Sequence, residues 1–495
     1  KFFSLGICAV MVSSRTFMSF TTLTFLIFLV TVFALYWSLR DRRTQNVVLL
    51  TASYIFYGWW DWRFCLLMIA ASLVDFFVGL GLNKVEEPRW RKVLLTCGLS
   101  ANLGMLGVFK YFNFFAENFQ ALVTKLGWHV DPITLNVILP VGISFYTFQT
   151  MSYSIDIYRR KMRGTTQLIE YLAYVSFFPQ LVAGPIERAT HLLPQFFKDR
   201  VFSDEQARSG CKQALWGVFK KMVIADNLSP IVDTAFANPS AYNGAELALA
   251  TVGFALQIYC DFSAYSDIAI GVARLFGFEL MRNFAYPYFS QSVGEFWRRW
   301  HISLSTWFKD YVYFPLGGSR VAKPRMAMNV MITFMLSGLW HGASWNFIIW
   351  GALNGLGVLP EILRPHSRRT AGELPAEQPS AKTFARILGT FSFICVGWIF
   401  FRAGSFADAI LILQRIVTAF LAPVGGLLRS DETDGRVWVV AALLLGAEWI
   451  KRSEWHPLAG IRWPQPVRWV AYSALLWIAL YLGTFGSSPF IYFQF

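Results

Sequence analysis

Apolar runs long enough to cross a bilayer recur along this chain, and short basic clusters separate them. Residues 20–39 close on Arg40, Arg42 and Arg43. Residues 47–57 end in the aromatic group Tyr57, Trp59, Trp60 and Trp62, and residues 64–82 close on Lys84, Arg89, Arg91 and Lys92. Residues 93–109 follow, and residues 137–157 end at Arg159, Arg160, Lys161 and Arg163. Inside lipid no water is available to the backbone, so runs of this kind must close their hydrogen bonds as helices. Residues 384–401, 437–450 and 470–484 are further candidate spans. Only 15% of the 495 residues are charged, against about 25% in a soluble domain. This excludes a cytosolic enzyme, a secreted domain and a disordered regulator. The length suffices for roughly ten or more helices of about 20 residues, in an all-α polytopic membrane protein.

The net charge of +14 points to membrane topology rather than nucleic acid, because the cations sit in loops between apolar runs. Three basic clusters recur two spans apart. They place those loops in the cytoplasm and the N-terminus on the extracytoplasmic side. Residues 1–17 read as an N-terminal extension, with Met11 and Met18 as candidate starts. The six cysteines show neither metal spacing nor a disulfide framework. Residues 364–382 are rich in Pro, Ser and charge and read as an exposed linker. The chain thus divides into an extension (1–17), a core (18–363), a linker (364–383) and C-terminal transmembrane helices (384–495).

Ionisable residues inside apolar segments mark candidate chemistry. His341 lies in an apolar stretch between Gly338 and Gly342, glycines that open room for an approaching group. Imidazole suits general-base work near neutral pH; a satisfied core histidine is the plainer reading. Glu295 and Arg299 stand four apart on a helix that also carries Arg298, Trp297, Trp300 and His301. That segment reads either as an interfacial amphipathic helix or as an entry for an anionic ligand. Asp261, Ser263, Tyr265, Ser266 and Asp267 form a polar cluster in a long apolar run, which fits a polar tunnel or a hydrogen-bond network between helices. Residues 172–185 are short and broken by Pro179, Gly184 and Pro185, as a re-entrant helix would be, with Glu187 and Arg188 beyond them as a candidate pair. Asn102, Lys110, Asn113, Gln149 and Tyr153 add single polar positions. No dinucleotide or Walker loop and no nucleophile elbow is present.

Together the segments YCDFSAYSDIAIG (259–271), FWRRWHISL (296–304), FPLGGSR (314–320) and SGLWHGASWN (337–346) resemble the membrane-bound O-acyltransferase (MBOAT) family. The bacterial alginate O-acetyltransferase branch is the most similar. LPVGISFYTFQTMSYSIDIY (139–158), FPQLVAGPIER (178–188), GWIFFRA (397–403) and PFIYFQF (489–495) extend the likeness. The resemblance implies a ring of about 11 tilted transmembrane helices around a funnel and tunnel. It implies His341 and His301 as the catalytic histidines. Arg298, Arg299, Trp300, Asp261, Ser263, Tyr265, Asp267, Trp340 and Asn346 are then donor- or tunnel-lining residues. It also implies acetyl-CoA or another acyl-CoA as donor substrate, with no permanently bound cofactor and no metal. The acyl group would cross the inner membrane to an extracytoplasmic SGNH-like partner or directly to alginate, cellulose or peptidoglycan. The rival classes are a transporter or flippase of a polysaccharide export system, with Asp261, Asp267 and His341 as a proton relay, and a structural subunit of such a complex.

Overall fold

The computed structural model describes residues 18–128, 131, 134–135, 138–182, 184–363, 380–421, 435–484 and 490–491. Residues 1–17 and nearly all of the expected linker therefore lie outside the described residues. The described chain is helical. Among the described residues, five helices are long and apolar enough to cross a membrane: Arg63–Lys84, Pro88–Lys125, Gly244–Leu275, Trp345–Leu363 and Ala381–Arg402, and Leu23–Ser38 is a shorter apolar helix. This corrects the expected ring of about 11 spans. The remaining helices are too short for a full crossing or carry too many polar side chains. Ile143–Tyr158, for example, buries Gln149, Ser152, Ser154 and Asp156 and serves as protein interior.

The centre of the molecule is the 32-residue helix Gly244–Leu275. Its start is fixed by a capping box: Asn243 accepts from the Glu246 N–H, and Glu246 accepts from the Asn243 N–H at 2.8 Å. The helix Asp204–Phe219 lies against it at very close range. A Cβ on Gly210 would stand 2.5 Å from the Gly271 carbonyl oxygen, so only glycine permits this approach. A π-helical turn, Lys220–Ala225, follows. It turns two successive lysines toward the central helix. Lys220 Nζ sits 2.7 Å from Asp267 and 2.6 Å from Ser263. Lys221 Nζ sits 2.8 Å from Asp261 and 2.7 Å from Asp226.

The basic loops gather at one end of the bundle. Arg160 pairs with Glu86, Asn83 and Gly164 exchange two hydrogen bonds, and Arg91 donates to the Ile157 and Tyr158 carbonyls. Arg42 donates to the Phe197 carbonyl, and Asn46 donates to Glu170 and to the Phe196 carbonyl. The loops around 84–92 and 159–163 are thus joined directly. Residues 172–185 form no crossing. Leu168–Ser176 ends, and the short helix Phe178–Leu181 restarts with Pro179 in its first turn.

Candidate active site

The apolar stretch around His341 is a helical hairpin. Lys323–His341 ends at the histidine and Trp345–Leu363 begins four residues later. The two arms touch backbone to backbone, since a Cβ on Gly338 would stand 2.1 Å from the Phe347 carbonyl oxygen. The flanking glycines therefore do not open room for a ligand. Gly338 receives the partner arm, and the Phe347 ring fills the space beside Gly342. His341 is 4% exposed. Its ring stands edge-on to Trp340, Trp350 and Phe401 at 4.9, 4.9 and 5.5 Å.

His301 comes from a different element. The helix Val293–Arg299 stops before it, Ile302–Phe308 starts after it, and His301 takes the left-handed conformation at φ 43° and ψ 56°. It therefore does not extend the face of Trp297, because that helix ends at Arg299 and Trp300 is already its extended C-cap. A left-handed backbone on a residue with a Cβ costs energy and must be held by its surroundings. Asn283 provides the hold. Its backbone carbonyl accepts from the Ile302 N–H at 2.9 Å. Its side-chain Oδ1 accepts from the Ser303 N–H at 3.2 Å and the Ser303 hydroxyl at 2.9 Å. His301 Nδ1 lies 3.1 Å from the same oxygen. An N–H already pointing at Oδ1 fixes the amide orientation, so Nδ1 is the ring's donor and Nε2 carries the lone pair. His301 is 1% exposed and lies outside every membrane-crossing helix. Burial pushes its imidazole down to about 3, so the ring is neutral and able to accept a proton.

The two histidines meet at Trp340, whose ring lies 6.2 Å from His301 and 4.9 Å from His341. A third ionisable group reaches this place. Lys110 lies in a π-helical turn, Gly107–Tyr111, inside the long Pro88–Lys125 helix. Its Nζ donates to the Trp340 carbonyl at 2.6 Å and the His341 carbonyl at 3.2 Å. These carbonyls end a helix and have no further turn to accept from. Phe114 and Asn118 continue the same face at spacings of four, meeting Trp345 by ring contact and by a 2.8 Å hydrogen bond.

The other sequence-predicted residues are placed as follows. Arg299 is buried against Glu295 at 2.7 Å, as their spacing predicts, and Arg298 pairs with Glu361 at 2.7 Å. Trp300 is packed among Phe284, Phe296 and Trp398. Asp261, Ser263 and Asp267 take the two buried lysines, and Tyr265 meets Ser19 at 3.1 Å. Asn346 donates to the Ala403 carbonyl. Glu187 and Arg188 do not pair with each other: Glu187 receives His191 and the Met281 N–H. Asn283 and Ser303 escaped the sequence reading, since nothing in the local pattern sets them apart. Lys110 was visible only as a lone cation next to an apolar run.

The family model of the membrane-bound O-acyltransferases matches residues 158–401, which include both histidines. A "Probable alginate O-acetylase AlgI" of Azotobacter vinelandii is 40% identical over 392 residues, covering 78% of this chain and 75% of the relative. One of Pseudomonas putida is 36% identical over 97% of this chain and 100% of its own length. The "Peptidoglycan O-acetyltransferase" of Helicobacter pylori is 34% identical over 74% of this chain and 73% of the relative. With two buried histidines joined across one tryptophan, inside a matched segment of a multi-pass membrane chain, the protein belongs to the membrane-bound O-acyltransferase family, in its bacterial alginate O-acetylase branch.

Proposed function

We propose that this acyltransferase moves an acetyl group from acetyl-CoA in the cytoplasm to an exopolysaccharide such as alginate, directly or through an extracytoplasmic SGNH-like partner. The convergence of His301 and His341 on Trp340 carries this reading. The basic loops face the cytoplasm and the donor. His341 takes the proton of the acceptor hydroxyl as its oxygen attacks the thioester carbonyl. Collapse of the tetrahedral intermediate expels the thiolate, which recovers that proton from the imidazolium. His301, held by Asn283 through Nδ1, presents Nε2 as an acceptor and assists the proton transfer. Holding both reactants together supplies about 7–11 kcal/mol, and the general base about 10²–10⁴-fold. A proton relay of the transporter kind finds less support, because Asp261 and Asp267 are both paired with lysines.

The test is transfer of labelled acetyl from acetyl-CoA by the full chain in membranes, with partner and polysaccharide supplied. His341→Gln keeps a hydrogen-bonding group but no base and should lose transfer by at least about 10²-fold while the protein still folds. Near wild-type transfer by a folded His341→Gln protein would refute the general-base assignment.

A further inference from the structure

Three cations surround one aromatic ring at the basic end of the bundle. Arg188, Arg159 and Lys161 lie 4.5, 5.3 and 6.0 Å from the centre of Tyr311. Arg188 is the unusual member. Its side chain is 12% exposed and its Nη2 stands 3.5 Å from Asp310. Neither Nη1 nor Nη2 has a hydrogen-bond partner among the described residues. Proteins seldom leave buried donors unsatisfied, and a guanidinium fork matches the oxygens of phosphate. Of the two nearby carboxylates, Asp310 meets Arg188 only at 3.5 Å, and Asp156 is engaged elsewhere. Asp156 accepts from the Tyr311 hydroxyl at 2.8 Å and lies 3.3 Å from Lys161. Three cations thus face two carboxylates, Asp156 and Asp310.

A column of rings joins this cluster to the histidines. Tyr311 meets Trp307 at 5.1 Å, Trp307 stacks on Phe148 at 3.8 Å, and Phe148 meets Trp340 at 5.5 Å. The segment of Arg188 also touches the His301 support directly, since the Ile186 N–H donates to Ser303 Oγ at 3.0 Å. The chain therefore holds an anion-binding group and the reacting pair at a fixed separation. A donor of this chemistry carries phosphates at one end of a flexible arm and a thioester at the other. We propose that Arg188, with Arg159 and Lys161, binds the phosphate groups of the acyl-CoA donor. This rests on the acyl-CoA reading of the previous section. It assigns the phosphates to Arg188 rather than to Arg298 and Arg299, which are held by Glu361 and Glu295.

The experiment is equilibrium binding of acetyl-CoA and of acetyl-pantetheine, which lacks phosphate, to the full chain in nanodiscs of zwitterionic lipid. Arg188→Gln should weaken acetyl-CoA binding about tenfold or more, the loss of a charge-assisted contact, and leave acetyl-pantetheine unchanged. Arg188→Lys should fall between. If Arg188→Gln fails to fold, the exposed pair Arg159→Gln and Lys161→Gln decides, with a smaller weakening in the same sense. Equal weakening of both ligands would overturn the proposal. So would an Arg188 effect that appears only when anionic lipid is added, which would assign the cluster to lipid headgroup phosphates. A wild-type chain that binds no acetyl-CoA would instead overturn the donor reading itself, and this site with it.

Discussion

Asn283 sets the protonation pattern of His301, and that makes its side chain testable. Asn283→Ala removes the acceptor for His301 Nδ1 and for Ser303, and it should lower transfer on the order of 10²-fold. The drop should fall on kcat more than on the KM for the donor. Asn283→Asp keeps an acceptor but adds a negative charge that favours the imidazolium. Transfer should then partly return, and the pH below which it falls should rise. A pH–rate profile of the Asn283→Asp chain that matches wild type would reject this role. Lys110 acts on the same site through backbone. Lys110→Met removes both bonds to the Trp340 and His341 carbonyls and should cut kcat by about tenfold or more. Lys110→Arg should restore part of it, which a mere loss of packing would not explain. His341 was legible in the sequence because nothing else nearby is ionisable. Asn283 was not, because its importance lies in a fold that brings residue 283 back to residues 301–303.

At the scale of elements, the hairpin of Lys323–His341 and Trp345–Leu363 depends on Gly338. Gly338→Leu would drive a side chain into the Phe347 carbonyl. It should destabilise the protein by at least about 1–3 kcal/mol, seen as a lower midpoint of thermal unfolding in detergent. Unchanged unfolding would mean that the arms are not in contact. Helix boundaries near basic clusters were readable, as in the expected run 64–82 and the observed Arg63–Lys84. The break after Ser176 was readable from Pro179. The helix Phe406–Leu421 was missed. Asp408, Gln414 and Arg415 interrupt it, so it lacks the continuous apolar run that marks a span. The π-helical turn at Lys220–Ala225 was also invisible, and with it the partners of Asp261 and Asp267. Lys221→Met would leave Asp226 and Asp261 without their shared cation. The expected cost is about 3–5 kcal/mol, larger than for the exposed pair Arg208 and Asp204. Urea or thermal unfolding of both variants checks the order.

Across the whole molecule, the gathered basic loops give the bundle one electropositive end, and the proposed donor cluster belongs to it. A strain lacking this chain should make exopolysaccharide without acetyl esters, and re-expression should restore them. Unaltered acetylation in the deletion strain would contradict the proposed acceptor. Overall class was legible because composition acts on the entire chain. The number of crossings was not, because helices that read as apolar, such as Leu23–Ser38 and Gly435–Ile450, are shorter than a full span.

The Lys110 contact also bears on how the protein is made. Its Nζ meets carbonyls more than two hundred positions later in the chain. During synthesis, His301 and its asparagine emerge before the His341 hairpin, and Lys110 waits in an early helix. The proposed reacting pair is therefore assembled only when a late hairpin docks on an early helix. A partly synthesised chain in the translocon has no working site with which to waste donor thioester.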